Sequence, residues 1–186
     1  LLEKGRLAEA QGDMEGAIAG YRAALAESPD DVALKSRLGA ALVLTGDLAE
    51  AEAFLRDVLK VQPYSAEAEH FLGRIELERG QVEASIQRFE RAVRLAPDNG
   101  TYRMYVAWAA LESNEMTTAL RELDAALKLD PNLGDAYWLR ARIRIHAGTV
   151  RFEELAFDFS RDASPDGTFV AHTGELDVDV LVQALA

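Results

Sequence analysis

A chain of 186 residues that is 49% hydrophobic can bury a sizeable core, and its formal charge of −12 argues against a nucleic-acid-binding surface, which would need a basic stripe. No cysteine is present, so neither a disulfide framework nor thiolate chemistry is available, which suits a cytoplasmic setting. No apolar run is long enough to insert in a membrane and no charged-then-apolar leader opens the chain, which begins Leu1-Leu2 and is expected to be a fragment.

Helical periodicity predicts the elements in pairs. The first pair is Leu2 to Gln11 and Met14 to Glu27, the second Val32 to Thr45 and Leu48 to Val61, and the third Ala66 to Arg79 and Val82 to Leu95. A fourth is Thr101 to Ser113 and Met116 to Leu129, and Asp135 to Ala147 starts a fifth. The same punctuation returns every 34 residues: Gly39, Gly46, Ala51, Leu55 and Pro63 match Gly5, Gly12, Ala17, Tyr21 and Pro29 before them. They match Gly73, Gly80, Ser85, Phe89 and Pro97 after them, then the looser Ala107, Asn114, Ala119, Leu123 and Pro131. A last copy, Ala141, Gly148, Glu153, Phe157 and Pro165, keeps its ends and loses its middle. Physically, the first small residue and the Ala/Ser column let helix axes approach, Gly12, Gly46, Gly80 and Gly148 free the backbone for a tight turn, and proline closes the unit. Asn114 can adopt the same left-handed turn, whereas Glu153 in a close-packed column is at odds with a regular fifth second helix.

A period of 34 with this punctuation resembles the tetratricopeptide repeat (TPR) family, in which each unit is helix, turn, helix. The resemblance covers residues 1 to about 148. The expected fold is all-α, a right-handed superhelical solenoid of antiparallel helix pairs with a divergent C-terminal tail. Residues 1–151 form the array, in repeats of about 1–31, 32–65, 66–99 and 100–133 with a partial 134–151, and 152–186 form the tail.

In such an array the first helices line the concave wall, so their solvent-facing positions form rows across a groove. One row is Ser36, His70, Met104 and Trp138; the next is Arg6, Ala40, Arg74, Trp108 and Arg142; a third is Glu9, Val43, Leu77, Leu111 and Ile145. Two tryptophans, a methionine, aliphatics and arginines on a wall that could have been polar predict a protein partner. A core position for Trp108 or Trp138 is the competing reading. Aromatic and aliphatic residues with Arg74 and Arg142 suit an apolar segment carrying acids. The clamp with which some TPR proteins hold the acidic carboxy-terminus of heat-shock chaperones is not reproduced at Leu2, Arg6, Ser36 and Ala40, so the resemblance does not extend to that ligand.

After Val150 the texture changes. The stretch Phe152, Glu153, Glu154, Leu155, Ala156, Phe157, Asp158 and Phe159 interleaves phenylalanine with acids. From Phe152 onward eight acids face only Arg161, so the tail carries −7 of the charge. SPDGT is a turn signal, and Asp177 to Ala184 reads as a short amphipathic helix, with a strand over LDVDVLV as the competitor. Three readings stay open for the tail: a cap on the last repeat, a segment in a groove of its own or a neighbouring molecule, or a foreign ligand joined to the array.

Chemistry has little support. His70 and His146 form no nucleophile pair with a carboxylate or Ser/Cys at helical spacing, His172 falls in irregular chain, three scattered histidines without cysteine make no metal site, and the tail acids lack calcium-loop spacing. The expected function is a non-enzymatic adaptor that binds an amphipathic acidic segment of another protein, without cofactor, metal or nucleic acid. The alternatives are self-association by exchange of the tail, giving a homo-oligomer, and a targeting module of a larger enzyme.

Overall fold

The computed structural model describes residues 1–146, with side chains through 143. Its helices are α1 (Leu2–Ala10), α2 (Met14–Glu27), α3 (Val32–Thr45), α4 (Leu48–Val61), α5 (Ala66–Glu78), α6 (Val82–Leu95), α7 (Gly100–Glu112), α8 (Met116–Leu129) and α9 (Gly134–His146). Five have the bounds the periodicity predicts, α1 and α5 end one residue earlier, and α7 and α9 are shifted by one residue at both ends. The chain divides into two compact units, Leu1–Asp98 with α1 to α6 and a second opening at Asn99 with α7 to α9. The predicted tail, 152–186, and Gly148 lie outside the described residues.

Each hairpin turns on one left-handed residue. Gly12, Gly46 and Gly80 have φ of 76°, 88° and 73°, and Asn114 takes the same region at 60°. No atom lies within 4 Å of where a Cβ would stand on those three glycines, so backbone conformation and not space selects them. The next residue then donates its N–H five residues back, Asp47 to Leu42 at 2.9 Å, Gln81 to Glu76 at 2.8 Å and Glu115 to Ala110 at 2.8 Å, satisfying carbonyls the helix end leaves open. Between hairpins a polar side chain starts the next first helix. Asp31 accepts from Ala33 N and Leu34 N at 2.9 and 3.1 Å, Ser65 from Ala68 N at 3.2 Å, and Asn99 from Tyr102 N at 3.2 Å.

The small columns explain how closely each pair packs. A Cβ on Gly5, Gly39 or Gly73 would stand 2.8, 2.8 or 2.7 Å from the side chain of Tyr21, Leu55 or Phe89, the large residue sixteen positions on in the same hairpin. All three large side chains are fully buried, as are Ala17, Ala51, Ser85 and Ala119 of the small column. In the first hairpin the approach is closer still, because a Cβ on Gly20 would meet the Gly5 backbone at 2.6 Å. The core of the first unit runs through Ala17, Tyr21, Ala51 and Leu55 with Leu38, Leu42 and Ile75; that of the second holds Ala119, Leu123, Leu139 and Ile143.

Ion pairs also join the two helices of a hairpin. Lys35 lies 3.9 Å from Asp57, Glu69 lies 2.8 Å from Arg88 and 3.0 Å from Arg91, and Arg103 lies 3.2 Å from Glu122. Glu69 is 1% exposed and Arg88 is shared with Glu76 at 3.1 Å, so this carboxylate is buried only with two guanidinium groups in attendance.

Candidate partner-binding face

The predicted rows divide between the two units, and the structure corrects the exposure expected of five of their members. Ser36, Ala40, Val43 and His70 in the first unit and Met104 in the second are buried rather than solvent-facing. The cause is the number of neighbours. Helix α3 packs against α2, α4 and α5, and eight of its fourteen residues are buried, so no open face remains where the rows place Ser36, Ala40 and Val43. Ser36 donates its hydroxyl to Glu67 at 2.7 Å, tying α3 to α5. His70 lies edge-on to Phe71 at 5.0 Å and near Phe89 at 5.7 Å. Burial, with the Arg74 charge second, pushes its pKa down to about 3, so the imidazole is neutral at physiological pH and acts as an aromatic core residue. Arg74 is half-buried, with its guanidinium 5.7 Å from the centre of the Phe71 ring, and Leu77 is half-buried.

In the second unit the rows fare differently. Trp138 on α9 is 42% exposed, Arg142 one turn further is exposed, and the Arg142 guanidinium lies 5.1 Å from the centre of the Trp138 ring. Tyr137 is 39% exposed, and the half-buried Arg140 stands 5.0 Å over its ring. On α7 the Tyr105 and Trp108 rings stack, 5.9 Å apart and inclined by 10°, and with Leu111 they pack against the unit's core while keeping part of their surface open. Trp108 therefore serves as core and as surface at once, where the sequence posed these as alternatives. The side chain of Ile145 and the segment from Phe152 to Phe159 lie outside the described residues.

Tyr137 was missed by sequence reasoning, although it precedes Trp138 and stands three residues before Arg140. Two aromatic rings, each faced by an arginine within one turn, give α9 an apolar surface rimmed by positive charge. Arg140 also pairs with Asp124 at 3.4 Å, whereas for Arg142 the cation–π contact holds the guanidinium in place while leaving its N–H edges able to bind a carboxylate. Among the described residues no group of three or more His, Asp or Glu is placed to hold a metal ion, and no helix is long and apolar enough to cross a membrane.

Comparison with known proteins agrees with this architecture. Two tetratricopeptide repeat family models match, over residues 1–75 and 72–134. Tetratricopeptide repeat protein 7A of Homo sapiens is 37% identical over 95 residues, 51% of this chain and 11% of that protein. Among solved structures, TTC0263, a thermophilic TPR protein of Thermus thermophilus, is similar with a TM-score of 0.75 at 17% identity, covering 99% of this chain and 95% of that one. YrrB, described as a TPR protein with an unusual peptide-binding site, has a TM-score of 0.61 at 18% identity, covering 86% of this chain and 83% of that one. The chain thus spans about a tenth of the human relative, and the solved structures inform on fold alone.

Proposed function

As this chain belongs to the tetratricopeptide repeat family, we propose that it is a protein-recognition scaffold whose second unit takes an amphipathic, acidic segment of a partner. The observation that carries this reading is Trp138, 42% exposed, with Arg142 at 5.1 Å over its ring. An isolated surface tryptophan gains little from water, whereas a ring rimmed by a fixed cation matches a ligand with an apolar face and carboxylates beside it. Trp138 and Trp108 supply aromatic anchors, Leu111 extends the apolar surface, and Arg142 pairs with an acid of the ligand. Arg74 and Leu77 belong to the first unit, and the proposed site does not depend on them. The peptide-binding site of YrrB lends support from a protein of the same fold, without bearing on the ligand's chemistry.

The test uses the two tryptophans, Trp108 and Trp138, as intrinsic reporters. The whole chain is titrated with a synthetic peptide of the sequence FEELAFDF, with a version in which its three acids become amides, and with one in which its three phenylalanines become alanine. The reading requires saturable binding of the first and weaker binding of both others. Equal responses to all three, or none to any, would sink it.

A further inference from the structure

The apolar packing of this chain is nearly the same in every repeat, and that poses a pairing problem. Gly39 against Leu55 and Gly73 against Phe89 are interchangeable motifs, a bare backbone under a large side chain. Hydrophobic contact alone therefore does not tell α5 to fold on α6 rather than on α4 or α8, within one chain or between two copies. We propose that the interhelical ion pairs carry the missing information: their sign inverts from one hairpin to the next, so that each first helix rejects the second helix of an adjacent repeat.

The inversion follows the register of 34. Lys35, Glu69 and Arg103 share one column on the first helices, with signs plus, minus, plus. Their partners on the second helices carry the opposite signs: Asp57 and Arg91 in one column, Arg88 and Glu122 in another. The spacing is conserved within each kind of pair, nineteen residues from Glu69 to Arg88 and from Arg103 to Glu122.

Every slip by one repeat that involves α5 or α6 juxtaposes like charges. With α5 on α4, Glu69 meets Asp57 and Phe54 in place of its two arginines. With α5 on α8 it meets Glu122. With α3 or α7 on α6, Lys35 or Arg103 meets Arg88 and Arg91. Because Glu69 is 1% exposed, a slipped pairing strands a buried carboxylate without a counter-charge, a far heavier penalty than repulsion between solvated groups. The first hairpin lacks such a pair and is marked by shape. Gly20 lies against the Gly5 backbone, and its equivalent in α4 is Phe54, for which that gap has no room.

The experiment equalises the signs of the third and fourth hairpins while keeping an interhelical pair in each, at the cost of the contact between the adjacent residues Arg121 and Glu122 at 3.2 Å. Arg103→Glu, Glu122→Arg and Arg121→Gln together keep an ion pair between α7 and α8 and relieve the neighbouring arginine, at positions that are only half-buried or exposed. Each helix of these two hairpins then accepts either partner. The whole chain is unfolded, refolded across a range of concentrations, and examined by light scattering and hydrogen exchange. The wild type is expected to return as one species. The triple variant is expected to give, beside it, larger exchanged species whose share rises with concentration, while Arg103→Glu alone lowers stability and stays homogeneous. A second set, Lys35→Glu with Asp57→Lys and Lys60→Gln, equalises the second and third hairpins and decides the question if the first set does not fold. Refolding of either folded set to a single species with the wild-type yield would overturn the proposal.

Discussion

Gly73→Ala gives the most informative test of the close packing within hairpins, because two effects of opposite sign compete there. In an open helix position alanine is favoured over glycine by about 1 kcal/mol, since glycine has more backbone freedom to lose. At Gly73 the added methyl would stand 2.7 and 2.9 Å from carbons of the Phe89 ring and 3.0 Å from Arg88 Cβ. The ring is fully buried and Arg88 is held by Glu69 and Glu76, so neither neighbour yields freely. Overpacking of this kind costs about 1–3 kcal/mol, enough to outweigh the helix gain and leave a net loss of about 1 kcal/mol. The same columns supply the remedy, because the fourth hairpin has Ala107 with Leu123 at the equivalent positions. Gly73→Ala in a Phe89→Leu background should therefore be neutral or stabilising, a coupling of about 1 kcal/mol or more between the two sites. Urea unfolding of the four proteins, followed by circular dichroism, measures it. A Gly73→Ala variant more stable than wild type, or effects that simply add, would refute the packing argument.

Two other changes probe single features of the fold. His70 is neutral in the folded chain, its pKa depressed to about 3 from 6.5, so protons favour the unfolded state once pH falls below 6.5. Its contribution to stability should be unchanged above that point and fall by about 2 kcal/mol between pH 7 and pH 5, a dependence that His70→Leu removes in paired urea titrations at the two pH values. Asp31→Ala deletes the cap that accepts from Ala33 N and Leu34 N, and should cost about 1 kcal/mol in the same assay, with Asp31→Asn recovering most of it.

Much of the architecture was legible because it is written in backbone requirements. A left-handed turn selects glycine or asparagine, and Gly12, Gly46, Gly80 and Asn114 are all found with positive φ. Gly5, Gly39 and Gly73, read as sites of close helix approach, stand against Tyr21, Leu55 and Phe89 as that reading requires. The caps Asp31, Ser65 and Asn99 could have been read as well, since each lies two residues after Pro29, Pro63 or Pro97.

Exposure was the weaker inference. Periodicity gives the face of a helix on which a residue stands but not how many neighbours cover that face, so Ser36 and His70 were placed in water when α3 and α5 pack together there. A hydrophobic pattern extending round nearly the whole of α3 was the available warning. Trp138 and Arg142 have the exposure predicted for them, on α9, the last helix of the described residues. The ion pairs were legible only in part: their signs invert along the sequence at fixed spacing, but that Glu69 is buried and not a solvated charge required its surroundings.

The central claim is that Arg142 and Trp138 together read an acid beside an apolar surface, and a thermodynamic cycle tests it most directly. The binding of FEELAFDF and of its amide counterpart is measured by calorimetry to the wild type and to Arg142→Ala, and then to Trp138→Ala. The account predicts that Arg142→Ala weakens the acidic peptide about tenfold while barely changing the amide version, a coupling of about 1.4 kcal/mol, and that Trp138→Ala weakens both. Equal losses for the two peptides on removing Arg142, or affinities indifferent to Trp138, would contradict it.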